Sequence, residues 1–332
     1  MRKWWWRRNA SGRRDRYSTV FCFALLALIW GTTWVAIKYS VAGIPPIAGA
    51  TLRSIIAALV LGMFAKLKGM DLALPRGALK YIIGTAILLY VLNYGLVYWG
   101  EQYLNAGVTA IFFASSPLTI AIASNFLFKN HSFHFHKFLG ILLGLCGIVV
   151  VFYDQLLITN FSRPVILASI GISIAAVAGA FNVLIVKRHL MAVAPITITI
   201  HQMLWGALGL GIVATLKGEL TTLHYSRPAI AATLYLAVVG SAFTFVSYYK
   251  LLRKISAITI STISYLTPVV AVFTGWLLLD EPISLRAMMG AGAIFCSIAI
   301  IQMEYFFERG TVSPRPSRLK GRESGMKIRM DE

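Results

Sequence analysis

Residues 18–37 form a run of twenty residues without a charged side chain. Nine more runs of the same kind follow: 39–65, broken only by Arg53, then 81–100, 102–128, 138–153, 164–186, 190–216, 228–249, 255–279 and 287–303. A helix rises about 1.5 Å per residue, so about 20 apolar residues cross the roughly 30 Å hydrocarbon core of a bilayer. Each run reaches that length once its flanks are included. The chain is 58% hydrophobic and only 13% charged, where a soluble domain carries about 25% charge. It lacks the polar surface to cover a soluble fold. The expected class is an all-α integral membrane protein of ten transmembrane helices. The first run continues into TTWVAIK without a small-residue cleavage site, so it is expected to be an uncleaved span rather than a signal peptide.

The formal charge of +19 would suggest nucleic acid in a soluble protein. Here the basic residues sit in the two tails and in alternate connections, beside Lys66, Lys80, Lys129, Lys187, Arg188, Arg253 and Lys254. The other connections hold only Lys38, Arg163, Lys217, Arg227 and Arg286. This bias predicts both termini in the cytoplasm of a multi-pass protein of the inner (plasma) membrane. It also makes anionic membrane lipids, and not nucleic acid, the expected partners of the basic face. The N-terminal RKWWWRR suits the headgroup region, and equally a disordered tail. Cys22, Cys146 and Cys296 lack metal-site spacing and are expected as small buried hydrophobes.

The chain repeats itself. Lys38 and Lys187, Pro46 and Pro195, and Gly62 and Gly211 are each 149 residues apart. Tyr98 and Tyr249, and Pro117 and Pro268, are 151 apart, while Gly140 and Gly290, and Cys146 and Cys296, are 150 apart. The expected organisation is a basic cytoplasmic tail at 1–16, a first five-helix repeat at 17–154, a linker at 155–162, a second repeat at 163–307 and a basic cytoplasmic tail at 308–332. An odd number of spans per copy makes successive copies enter the membrane from opposite sides. The repeats are therefore expected to be inverted, as in carriers that alternate access around a midplane site. Pro117 and Pro268 lie near the middle of equivalent helices and are expected kinks, since membrane helices tolerate proline where neighbours or cavity water satisfy the freed carbonyls. Gly140, Gly144 and Gly147, with Gly290 and Gly292, predict close helix packing, within the chain or between copies in a homo-oligomer.

Two stretches carry a family resemblance: LIWGTTWVAIK at 28–38 and SYLTPVVAVFTGWLLLDEP at 264–282. With the duplication, they resemble the EamA family of the drug/metabolite transporter superfamily over about residues 20–305. The resemblance implies a duplicated five-helix unit and transport of amino acids, other metabolites or toxic compounds. The first-half position matching Glu281 is Asn130, so the resemblance assigns Glu281 no general transport role.

Arg53 is the sharpest polar feature. It lies seven residues beyond Pro46, about 10 Å along a helix, and no Asp or Glu falls clearly inside any run to neutralise it. Insertion scales put a central Arg at roughly 2.5–3.5 kcal/mol, so carbonyls, water or an anionic solute must help. The repeat sets Gln202 against Arg53, with His201 beside it. Trp30, Thr33, Trp34, Asn93, Tyr94, Tyr98, Asn182, Tyr248 and Tyr265 complete the substrate-binding candidates for a small organic solute. Lys38 and Lys187 are expected as interfacial anchors, and Glu101 as a solvated helix end or a gate contact to Lys38 or Arg286. His131, His134 and His136 form a basic connection rather than a metal site. No catalytic, metal or cofactor residues are assigned: HExxH, phosphate-binding glycine loops and paired carboxylates do not occur. The expected function is a secondary transporter, without cofactor, exporting a small metabolite such as an amino acid. The alternatives are a membrane lipid-handling enzyme and a non-transporting scaffold or receptor.

Overall fold

The structure, a computed structural model, describes residues 2–104, 106–127, 135–157, 159–221, 225–279 and 284–307. Among these residues every regular element is helical. They are α1 (Arg2–Val41), α2 (Pro46–Leu67), α3 (Ala78–Gly100), α4 (Ala106–Phe113), α5 (Ser116–Leu127), α6 (Phe135–Val151), α7 (Tyr153–Leu157), α8 (Arg163–His189), α9 (Pro195–Leu216), α10 (Arg227–Leu252), α11 (Ala257–Ser261), α12 (Ile263–Leu279) and α13 (Leu285–Phe307). Six helices are long and apolar enough to cross a membrane: α1 from Arg16, α2, α3, α8, α9 and α10. Four shorter apolar stretches, Val108–Ser124, Phe135–Val151, Ala257–Val270 and Leu285–Ile301, match the remaining runs in position. Lipid-facing positions are apolar, as at Leu59, Met63, Leu208, Ile212 and Met289, which are all exposed.

Local sequence explains the helix boundaries. Proline sits in the first turn of α2, α8, α9 and α10, where its missing N–H costs nothing and its fixed φ favours entry. Ser226 caps α10 by accepting from the Ala229 N–H at 3.3 Å. Arg2–Val41 is one continuous helix, so the basic N-terminal segment extends the first span instead of forming an irregular tail. The segment from residue 308 onward lies outside the described residues.

The tertiary contacts come in exchanged pairs. The first repeat's α2 packs on its counterpart α9, and α6 packs on its counterpart α13. α1 packs on α10 and α12, while its counterpart α8 packs on α3, α4 and α5. α3 and α10 each contain a π-helical stretch, at Ile87–Tyr94 and Val238–Phe243, starting 151 residues apart. A π stretch widens the helix and displaces carbonyls from the regular ladder, and such bulges gather at functional sites.

The lysine pair is used differently from the expectation. Lys38 Nζ donates to the Glu101 carbonyl at 2.5 Å and to that of Leu104. Lys187 Nζ donates to the Leu252 carbonyl and to that of Ile255 at 3.0 Å. Each lysine thus closes carbonyls at and just beyond the C-terminus of α3 or α10, where a cation also complements the helix dipole. They tie helices together rather than reaching for headgroups. Replacing Lys187 by Met is expected to cost about 1.5–3 kcal/mol, the usual range for hydrogen bonds to a charged group. A thermal melt of the purified protein checks this, and an unchanged melting temperature would sink it.

Cys146 and Cys296 are exposed and Cys22 is half-buried, all three as free thiols. The expected burial fails because the glycine faces of α6 and α13 meet each other and turn the cysteines outward.

A central cavity lined by both halves

The two prolines sit differently: Pro268 lies inside its helix as expected, and Pro117 does not. The fourth run breaks at Ala114–Ser115, so that Pro117 is the second residue of α5 and not mid-helix. Residue Phe113, whose carbonyl a proline at 117 leaves without its usual N–H, is the last residue of α4. The ninth run breaks at Thr262, and Pro268 lies inside α12. Here the carbonyl freed by Pro268, that of Ser264, accepts the Thr267 hydroxyl at 3.0 Å. A serine serves each break, though not at matching positions: Ser115 Oγ donates to the Phe112 carbonyl at 2.9 Å, and Ser264 Oγ to that of Ser261 at 2.8 Å. Hydroxyls take the place of lost backbone donors, as an irregular turn in an apolar medium requires.

These two breaks face one cavity of about 150 Å³ at the centre of the bundle. Ser116 and Ile120 line it from α5, and Ser261, Ser264 and Thr267 from α11 and α12. Nine of the sequence-predicted residues also line it: Trp30, Thr33 and Trp34 from α1, Arg53 from α2, Asn93, Tyr94 and Tyr98 from α3, Asn182 from α8 and Tyr248 from α10. An engineered apolar cavity of about 150 Å³ admits one benzene ring, so this cavity suits one small solute. Two larger hollows, of about 500 and 670 Å³, lie among exposed apolar side chains such as Ile170 and Ile174, and Leu208 and Ile212. Apart from small hydroxyls they offer no polar grip, so they are grooves toward lipid.

Arg53 is 3% exposed. Its Nε donates to Ser241 Oγ at 2.7 Å, and its Nη2 to Tyr94 Oη at 3.0 Å and to the Gly240 carbonyl at 3.2 Å. Gly240 and Ser241 belong to the π stretch of α10, so the bulge in one half supplies acceptors to the arginine of the other. The guanidinium also lies 4.4 Å from the centre of the Tyr94 ring. Its contact to Tyr98 Oη is long, at 3.5 Å. Among the described residues no carboxylate pairs with it. Its neighbours stabilise the charge by dipoles without cancelling it. A second donor is unspent: the buried Trp34 Nε1–H makes no hydrogen bond. The remaining wall is aromatic, with Trp30 5.1 Å from Tyr248 and 5.6 Å from Phe245 between ring centres, and Trp34 edge-on to Phe113 at 5.4 Å.

Three predicted residues stand outside this wall. Gln202, the counterpart of Arg53, is fully buried behind it. Its Nε2 donates to Thr85 Oγ1 at 2.7 Å and to Asn182 Oδ1 at 3.2 Å, and its Oε1 accepts from Tyr249 Oη at 2.7 Å. All of its strong hydrogen-bonding capacity is used, so it fixes Asn182 instead of facing a solute. His201 points to the other side of α9, half-buried, with Nδ1 2.9 Å from the Thr197 carbonyl. Tyr265 donates to the Ile141 carbonyl at 3.1 Å and lies against Gly144, where an added Cβ would fall 2.4 Å from its ring. It is a packing residue between α12 and α6, because Gly144 leaves room for its ring. Asn93 donates to the Ala175 carbonyl at 2.6 Å while still bordering the cavity.

Sequence reasoning missed Phe113, Ser116, Gly179, Phe245 and Ser261, which border the cavity. The available signal was Ser116 beside Pro117. The phenylalanines carried none, since their orientation depends on helix rotation. Glu101, expected as a solvated end, is 1% exposed and lies 3.8 Å from Lys38 Nζ. Arg286 pairs with Asp154 and not with Glu101, because it starts α13 beside the end of α6. Asn130, His131, His134, Asp280 and Glu281 lie outside the described residues.

The sequence profile of the EamA-like transporter family matches the chain twice, at residues 17–153 and 166–303. The uncharacterized transporter YoaV of Bacillus subtilis is 26% identical, over 82% of this chain and 92% of the relative. An uncharacterized transporter of Archaeoglobus fulgidus is 29% identical over 84% and 96%. The uncharacterized inner membrane transporter YedA of Escherichia coli K12 is 28% identical over 85% and 90%. A solved crystal structure superposes with a TM-score of 0.71 at 16% identity, covering 89% of this chain and 99% of that one, a likeness of fold alone. The chain is a multi-pass membrane protein and belongs to the EamA-like transporter family.

Proposed function

We propose that this protein is a secondary carrier of ten membrane helices, built as two inverted five-helix repeats at 17–154 and 163–307. It would export a small, anion-bearing organic metabolite such as an amino acid by alternating access, with both termini in the cytoplasm. The observation that carries this reading is Arg53: a buried guanidinium without a carboxylate partner among the described residues, on the wall of a cavity at the breaks of two equivalent helices. A solute carboxylate would supply the missing charge. Arg53 and Trp34 Nε1 would hold it, while Trp30, Tyr94 and Tyr248 would surround the apolar part. The exchanged contact pattern of α1 and α8 supports two interconvertible packings of equal kind, one open to each side. Pro117 and Pro268 would act as the hinges, because the backbone at each break is held by hydroxyls and not by a full ladder.

Metabolite profiling of cells and medium tests the reading, with the gene deleted and then overexpressed. One carboxylate compound is expected to build up inside the deletion strain and to leave faster on overexpression. The reverse pattern would keep a carrier and overturn export. No compound moving in either strain would overturn the carrier reading.

A further inference from the structure

Glu101 caps the C-terminus of α3, where the negative end of the helix dipole disfavours a carboxylate. Its side chain is wholly buried, and neither carboxyl oxygen has a hydrogen-bond partner. Lys38 Nζ, 3.8 Å from Oε2, spends two of its three donors on the carbonyls of Glu101 and Leu104. The third element of the junction, α4, presents the buried Thr109 hydroxyl to the carboxyl, without a well-formed hydrogen bond between them. Lys38 is the charged group that faces the carboxyl from α1, and α4 offers it only that hydroxyl.

A bare carboxylate in this setting has lost its water and gained little in return. A neutral carboxylic acid fits it: its O–H has the Thr109 oxygen as an acceptor, and its burial costs far less. The second repeat has no equivalent, because residues 250–252 are Lys-Leu-Leu. The acid is therefore not part of the lysine clamp that both halves share.

We propose that Glu101 is a proton-binding site that couples proton binding to the carrier's cycle by governing closure of the α1–α3–α4 junction. This rests on the carrier reading above. With the junction closed the carboxyl holds a proton. With the junction open, water and Lys38 stabilise the carboxylate, and the proton leaves. Burial pushes the closed-state carboxyl up to about 8 against the pull of Lys38 and of the Thr109 hydroxyl, whereas a hydrated glutamate titrates near 4.3. By linkage, protonation then favours the closed junction about 50-fold more at pH 6 than at pH 8. The sign is fixed: acid closes the junction and alkali loosens it.

The test uses the full-length protein in liposomes. Infrared titration without any solute is expected to reveal a protonated carboxyl band that disappears with a midpoint near pH 8 and is missing from E101Q. In K38M, which removes the cation but keeps the carboxyl, the midpoint is expected to rise. Counterflow of the transported solute is expected to depend on pH in the wild type and to be flat in E101Q. No carboxyl titrating between pH 6 and 9 would overturn the proposal. So would a pH profile of flux identical in wild type and E101Q. A wild type without flux at any pH would instead overturn the carrier reading, which the infrared titration does not depend on.

Discussion

Arg53→Gln is expected to weaken binding of an anion-bearing solute by at least about 30-fold, with the protein still folded and inserted. Removing one partner of a buried charge pair costs about 2–5 kcal/mol, and 2 kcal/mol is about 30-fold in affinity. The variant should fold because the lost charge strands no acid among the described residues, and because Ser241, Tyr94 and the Gly240 carbonyl are neutral partners. Removing an unneutralised charge also relieves a desolvation cost. Arg53→Lys should fall between the two, since an ammonium keeps the charge but loses the planar fork that reaches Ser241 and Gly240 together. Counterflow in liposomes, normalised to inserted protein, measures the effect. Wild-type rate and affinity in R53Q would remove Arg53 from solute contact.

Gly290→Ala is expected to lower stability by roughly 3 kcal/mol or more, the upper end of overpacking costs. A Cβ at Gly290 would lie 2.6 Å from the Gly147 carbonyl oxygen and 2.8 Å from the Val151 N. Both are backbone atoms, so no rotamer change can make room, and α6 and α13 must move apart along their whole contact. The neighbouring Gly292 meets nothing within 4 Å, which makes Gly292→Ala the control expected to leave the melting temperature unchanged. Equal melting temperatures for the two variants would refute the close backbone approach.

Much of the cavity wall was legible because an apolar sequence makes its polar residues conspicuous. Arg53, Asn93 and Asn182 were visible as groups that hydrocarbon will not tolerate alone, and each borders or braces the cavity. The periodic offset near 150 residues exposed the lysine pair and the two proline breaks. It misled at Gln202: equivalence by repeat gave it the place of Arg53, yet Thr85, Asn182 and Tyr249 consume its amide. Tyr265 was misread for a related reason. Its nearness to Pro268 says nothing about which way a helix turns its ring.

The sequence by itself determined the solvent and the duplication. Run length and the scarcity of charge set the membrane class, since no other medium accepts so much apolar surface, and the recurring residues set two equivalent halves. Tertiary structure decided which faces look inward. It placed the carbonyl of the α10 π stretch against Arg53, turned Cys146 and Cys296 outward, and buried Glu101 beneath Lys38. These outcomes depend on helix rotation and on a π stretch that shifts every later side chain. Apolarity on all sides leaves rotation unspecified in the sequence, and backbone contact at glycine together with the buried hydrogen bonds fixes it.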